Sequence, residues 1–174
     1  RQLMGGCAMR ALFDTYGSTL AKAVLVHTGY VLVSVIFGFL LGLALGILLS
    51  RLSRRVSSIV MPVLSVFQTI PGLVFIGLLF MALGMVPATV IVSLSIYAMF
   101  PVLKNTYTGI LGVEQKYIEA EKGCGMSRFQ ILARVELPLA MPTIVAGLRM
   151  SAVYTVSWTV LAAMIGQGGL GELI

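Results

Sequence analysis

The chain has 174 residues, room for one domain, of which 59% are hydrophobic and only 10% charged. An ordinary soluble domain carries about 25% charged residues, so the composition excludes a water-soluble fold and points to an integral membrane protein. The net charge of +6 does not indicate nucleic acid, because the basic residues stand between long apolar runs, where they report membrane orientation.

The opening stretch, RQLMGGCAMR, has no clear apolar signal core. From Ala23 to Ser50 there is no acid, lysine or arginine. That run is long enough to cross a hydrocarbon layer about 30 Å thick, and predicts a first span over 23–50. Within it Gly38, Gly42 and Gly46 recur every four residues and align on one helix face. Such a strip lets another helix approach closely, either inside one bundle or between subunits.

From Val56 to Leu103 no residue is charged, and the run is too long for one crossing. Gly84 and Pro87 interrupt the pattern, so two spans are expected, over 59–83 and 88–109. Pro71 and Pro101 fall inside them and are expected to kink them. Gln68 is placed to bond a carbonyl freed at Pro71. A polar segment follows over 112–137, then a fourth span over 139–164. The chain closes in GQGGLGELI, a glycine-rich turn and the start of another element.

Arg51, Arg54 and Arg55 follow the first span, and Lys104, Lys116, Lys122, Arg128 and Arg134 surround the polar segment. Crossing parity puts both groups on one side, and the positive-inside rule makes that side cytoplasmic. Cys7 and Cys124 then lie on opposite sides, so no disulfide is expected between them. His27 is the only histidine, and no metal-ligand spacing exists, so no metal is expected.

The polar segment reads as two short helices around a bend. Val113, Tyr117, Ala120 and Cys124 form an apolar stripe at helical spacing. Gly123 and Gly125 permit a sharp turn. Ser127 with Gln130 three residues on is a capping-box pattern that restarts a helix. Phe129, Leu132, Ala133 and Glu136 share a face of that helix, and Pro138 is expected to end it by biasing Leu137 away from helical angles. Two readings stand: an amphipathic helix in the headgroups, or a helix–bend–helix that docks on a soluble partner. The acids at 114, 119, 121 and 136, which anionic lipid repels, favour docking.

Glu119-Ala120-Glu121, then Gly125, then Val135, Leu137 and Pro138 are similar to the signature loop of permease subunits in binding-protein-dependent ABC importers: Glu-Ala-Ala, three residues, Gly, nine residues, Ile, any residue, Leu-Pro. The spacing matches throughout; Glu121 replaces Ala and Val135 replaces Ile. FQTIPGLVFIGLL, YAMFPVLKNTYTGI and WTVLAAMIGQGGLGELI resemble the members that import glycine betaine, choline and carnitine. The resemblance covers about residues 20–174. Members usually continue with one more span after the final stretch.

The resemblance implies an all-α, polytopic transmembrane helical bundle of the type I ABC importer permease kind, in a bacterial plasma (inner) membrane. It implies a cytoplasmic ATPase that uses ATP and Mg, a second permease subunit (identical or not), and an extracellular or periplasmic substrate-binding protein. This chain itself would bind no cofactor and catalyse no reaction. Glu119 would anchor the first coupling helix on the ATPase, Ala120 would pack in its groove, Gly125 would permit the bend, and Leu137-Pro138 would tie the segment to the fourth span. For a quaternary ammonium cargo, aromatic faces are attractive. Tyr97, Phe100, Tyr107, Tyr154 and Trp158 are candidates for the translocation path, though each also reads as a packing or lipid-facing aromatic. Arg149, deep in the fourth span, reads either as a structural pair or as part of the path. An importer for methionine or phosphonate would keep the mechanism. A channel or scaffold would leave the signature spacing unexplained. A membrane-embedded hydrolase fails because the spans offer no Asp or Glu.

Overall fold

In hydrocarbon a chain must satisfy its backbone N–H and C=O groups from within, and helices do this segment by segment. The computed structural model describes residues 2–164 and 169–170, with side chains from Tyr16 onward. All regular structure among them is helical. In chain order the elements are α1 (Gln2–Arg51), α2 (Arg54–Phe67), α3 (Gly72–Leu83), α4 (Pro87–Leu111), α5 (Gln115–Gly123) and α6 (Arg128–Ile131). A π-helical turn (Leu132–Glu136) and α7 (Leu137–Ala162) follow. Three stretches are long and apolar enough to cross a membrane: Tyr16–Arg51, Pro87–Leu111 and Arg128–Ala162. Of the glycine-rich end expected to form a turn, 165–168 and 171–174 lie outside the described residues.

Three expectations fail. The span expected over 59–83 is not one helix: α2 and α3 meet at 89°. Pro71 is the N-cap of α3 with extended angles, φ −57° and ψ 127°. It therefore stands in a break rather than inside a kink. Gln68 closes α2 through its backbone N–H, and its side chain is exposed rather than bonded to a freed carbonyl. Pro138 likewise does not end the second helix of the polar segment. Leu137 is fully helical (φ −63°, ψ −47°), and the π turn carries α6 into α7 without interruption. The wider turn changes the hydrogen-bond register just where proline lacks its N–H. Pro101, by contrast, lies within an unbroken α4.

The directions of the helices follow from glycine contacts. A Cβ on Gly38 would meet Ala98 Cβ at 2.5 Å, one on Gly42 would meet Met99 O at 2.6 Å, and one on Gly46 would meet Thr106 Cβ at 2.6 Å. The partners advance with the glycines, so α1 and α4 run parallel, backbone against backbone. On the other side of α4, Gly147 sits against Asn105 and Pro101, and Gly109 against Ala140 and Thr143. Ser151 Oγ donates to Ala98 O at 2.7 Å. Here the order reverses, so α7 is antiparallel to α4. Two parallel helices must be joined by one crossing between them, and α2 with α3 supplies it as a broken span.

The core divides toward the two ends of the bundle. Ile76, Phe80, Val90, Leu94 and Ala162 form one cluster, with Tyr30 and Trp158 against it. Ile110, Ala140 and Ile144 form the other, with Phe39, Leu43, Ile47, Leu132 and Leu137. Between helices this close, small hydroxyl residues replace bulky ones: Ser34, Ser93, Ser151, Thr155 and Thr159 are all buried. The last four donate to carbonyls at 2.7 Å.

Candidate functional site

The polar segment forms an elbow at the end of the bundle where α1 and α4 finish and α7 begins. Gly112 closes α4 and Glu114 caps α5. Val113, expected on the apolar stripe of this helix, therefore precedes it. Gly125 has φ +83°, a conformation that Cβ-bearing residues avoid. Ser127 then caps α6 through a reciprocal box: its hydroxyl accepts from Gln130 N at 3.4 Å, and its N–H donates to Gln130 Oε1 at 2.8 Å. The two helices of the elbow are thus short but each has a defined end.

No residue of α5 is buried by the described chain. Gln115, Ile118 and Lys122 face inward across a groove of about 380 Å³, with Ser50, Arg51, Arg128, Ile131 and Glu136 on the other side. Glu119, Ala120, Tyr117 and Cys124 are exposed, and Glu121 is half-buried. Phe129, on α6, is 77% exposed. Farther along, Val135 and Leu137 are half-buried, Pro138 is exposed, and Leu137 packs on the core cluster at this end. The elbow therefore turns acids and aromatics outward and roots its far end in the bundle.

Glu136 does not belong with the outward acids. It is 5% exposed, and both its oxygens accept from the guanidinium of Arg51, one at 3.3 Å. This fork joins the last turn of α1 to the π turn before α7. Charge-assisted, two-pronged pairing fixes orientation as well as distance. Only Glu114, Glu119 and Glu121 remain for an outward acidic face. Arg51 reads in the sequence as an orientation signal and Glu136 as one acid among four. The pair joins positions far apart in the chain, and no local pattern reveals it.

The aromatic candidates separate. Tyr97 donates its hydroxyl to Ile70 O at 2.5 Å, at the break between α2 and α3. Phe75 stands edge-on to Tyr97 at 5.2 Å, and Trp158 lies 5.3 Å from it. Trp158 also occupies the space where Gly72 lacks a side chain: a Cβ there would meet the indole at 2.1 Å. Tyr97 and Trp158 together hold the broken span. Phe100 is buried and Tyr107 half-buried. Tyr154, one turn from Trp158, has different surroundings. It is exposed, and with Arg149 it lines an open groove on the outer face of α7.

A family model described as the binding-protein-dependent transport system inner membrane component matches residues 38–174. The choline transport system permease protein OpuBD of Bacillus subtilis (strain 168) is 45% identical over 121 residues, 70% of this chain and 54% of that protein. The chain thus spans about half the length of that relative. The carnitine transport permease protein OpuCB of Listeria monocytogenes is 39% identical over 169 residues, 96% of this chain and 76% of that protein. Among solved structures, an inward-facing MetNI methionine ABC transporter matches with a TM-score of 0.80 at 23% identity, covering 91% of this chain and 80% of that one. At that identity the match speaks for the fold alone, which is that of a type I ABC importer permease. The chain belongs to the family of binding-protein-dependent transport system inner membrane components, as a multi-pass membrane protein.

Proposed function

We propose that this chain is the permease subunit of an ATP-driven importer for small quaternary ammonium solutes such as glycine betaine, carnitine or choline. The observation that carries the reading is the elbow. No residue of α5 is buried among the described residues, yet beyond the bend α6 runs without a break into α7 through the π turn. A surface that its own protein leaves open, on a lever rooted in the bundle, suits a partner that pushes. The basic residues gathered at this end, Arg51, Arg54, Arg55, Lys116, Lys122, Arg128 and Arg134, make it the cytoplasmic face.

In this reading a separate ATPase binds α5 and α6. Glu119 and Ala120 meet it directly, Gly125 sets the angle, and Val135, Leu137 and Pro138 carry the motion into α7. ATP and Mg act in the ATPase, since this chain has no nucleotide-binding loop. A second permease subunit completes the pore, and a binding protein outside delivers the solute. Arg51–Glu136 couples α7 to α1, so a displaced elbow moves two spans together. The glycine strip at 38, 42 and 46 makes α1 and α4 move as one unit. Relatives named for choline and carnitine support this cargo over methionine.

The test is uptake of radiolabelled betaine, carnitine, choline and methionine in cells with and without this chain, alongside recovery of the ATPase with the tagged permease. The reading expects uptake of one or more of the first three and loss of the ATPase on Glu119→Ala or Gly125→Trp. ATPase recovery unchanged by both variants contradicts the docking role, and loss of methionine uptake alone contradicts the cargo.

A further inference from the structure

We infer that the groove around Arg149 is a passage site for the carboxylate end of a zwitterionic quaternary ammonium solute; the inference rests on the importer reading above. Arg149 stands twelve residues beyond Leu137 in α7, about 18 Å along the axis at 1.5 Å per residue. It is therefore deep in the span, beyond the reach of a side chain from either end. It is exposed, and among the described residues it has no hydrogen-bond or ion-pair partner. A charge in that position faces protein or a water-filled path rather than lipid.

The composition narrows what can pair with it. None of the spanning segments, Tyr16–Arg51, α2 with α3, Pro87–Leu111 and Leu137–Ala162, contains an Asp or Glu. The acid nearest to α7 in sequence, Glu136, already holds Arg51. A second copy packed against this face would bring walls but no counter-charge from these spans. The groove itself holds about 560 Å³ and is lined by Pro142, Val145, Ala146, Met150, Val153 and Tyr154 besides Arg149. That volume is in the range of about 300–1,000 Å³ common for small-molecule sites.

Tyr154 lies five residues on, about 7.5 Å along the axis and about 140° around it, is 46% exposed and lines the same groove from its other edge. A guanidinium at one edge and an aromatic face at the other, with apolar walls between, suit a small molecule with a carboxylate at one end and a trimethylammonium at the other. Betaine and carnitine have both ends. Choline has only the cation, and Arg149 repels it. The groove therefore acts as a selectivity step inside the membrane, separate from the binding protein's own choice.

The test uses the complete transporter in cells with an unaltered binding protein, so any change in selectivity arises in the permease. Uptake of betaine and of choline is measured for wild type, Arg149→Gln and Arg149→Lys, each normalised to the complex recovered from the membrane. The expected result is a fall of about tenfold or more in the betaine-to-choline ratio for Arg149→Gln, the loss of one charge-assisted hydrogen-bonded contact, with Arg149→Lys between that value and wild type. Equal loss of both solutes in Arg149→Gln, or an unchanged ratio, overturns the inference and leaves the importer reading standing. A wild-type complex that moves neither solute removes both.

Discussion

Replacing Arg51 by alanine tests whether the fork to Glu136 holds the elbow to the bundle. The carboxylate of Glu136 is 5% exposed and takes both prongs of the guanidinium. Losing one member of a fully buried pair costs about 3–5 kcal/mol, because the other charge is stranded. The Arg51 side chain, however, is 41% exposed, so water already screens the pair and enters readily when it is gone. The expected cost of Arg51→Ala is therefore about 1–3 kcal/mol. Glu136→Ala should cost less than Arg51→Ala, since a half-exposed guanidinium can hydrate where a buried carboxylate cannot. The double variant should recover part of the sum, with an interaction energy of about 1 kcal/mol or more. The assay is thermal denaturation of the purified complex, paired with the ATP hydrolysed per solute imported. Loss of the fork should raise that ratio, as the ATPase drives an elbow no longer tied to α1. Single-variant costs that add to within about 0.5 kcal/mol, together with an unchanged ratio, would refute the reasoning.

Gly42→Leu should separate α1 from α4, because even a Cβ would sit 2.6 Å from Met99 O and 2.8 Å from Val102 Cβ; a cost of about 1–3 kcal/mol or more is expected. Gly77→Ala, with nothing within 4 Å of its Cβ position, is the control, and comparable melting losses for the two would contradict the seam. Tyr97→Phe should lower stability by about 1 kcal/mol by freeing the Ile70 carbonyl. Limited proteolysis should then cut first near 68–71, and an unchanged pattern would mean that the hydroxyl does not hold the break.

Legibility in the sequence followed the range of the interaction. The membrane class and the all-helical bundle were visible in long uncharged runs, because burying such residues in lipid requires helices. Gly38, Gly42 and Gly46 showed a strip by spacing alone, but its partner, α4, lies far along the chain. Ser127 and Gln130 showed the start of α6, a contact three residues long. The break at Pro71 was read as a kink, since proline within a span permits either outcome. What turns it into an 89° break is a set of distant groups, Tyr97 on Ile70 and Trp158 in the space left by Gly72. The helix through Pro138 was missed for a different reason. The residue before proline disfavours helix as a rule, and the π turn that evades the rule has no marker in sequence. Arg149 and Tyr154 were visible as unusual residues in a span, whereas the groove they share on the exposed face of α7 depends on which face the other helices leave open.

Cys124 provides the most direct test of the elbow as a cytoplasmic handle, because it is exposed and free at the C-cap of α5. With Cys7 replaced by serine, a membrane-impermeant maleimide is applied to intact cells and to inside-out vesicles, with the ATPase bound or stripped away. Labelling only in vesicles, slowed when the ATPase is bound and restored when it is removed, is the predicted result. Labelling from outside intact cells, or at one rate with and without the ATPase, would contradict the account.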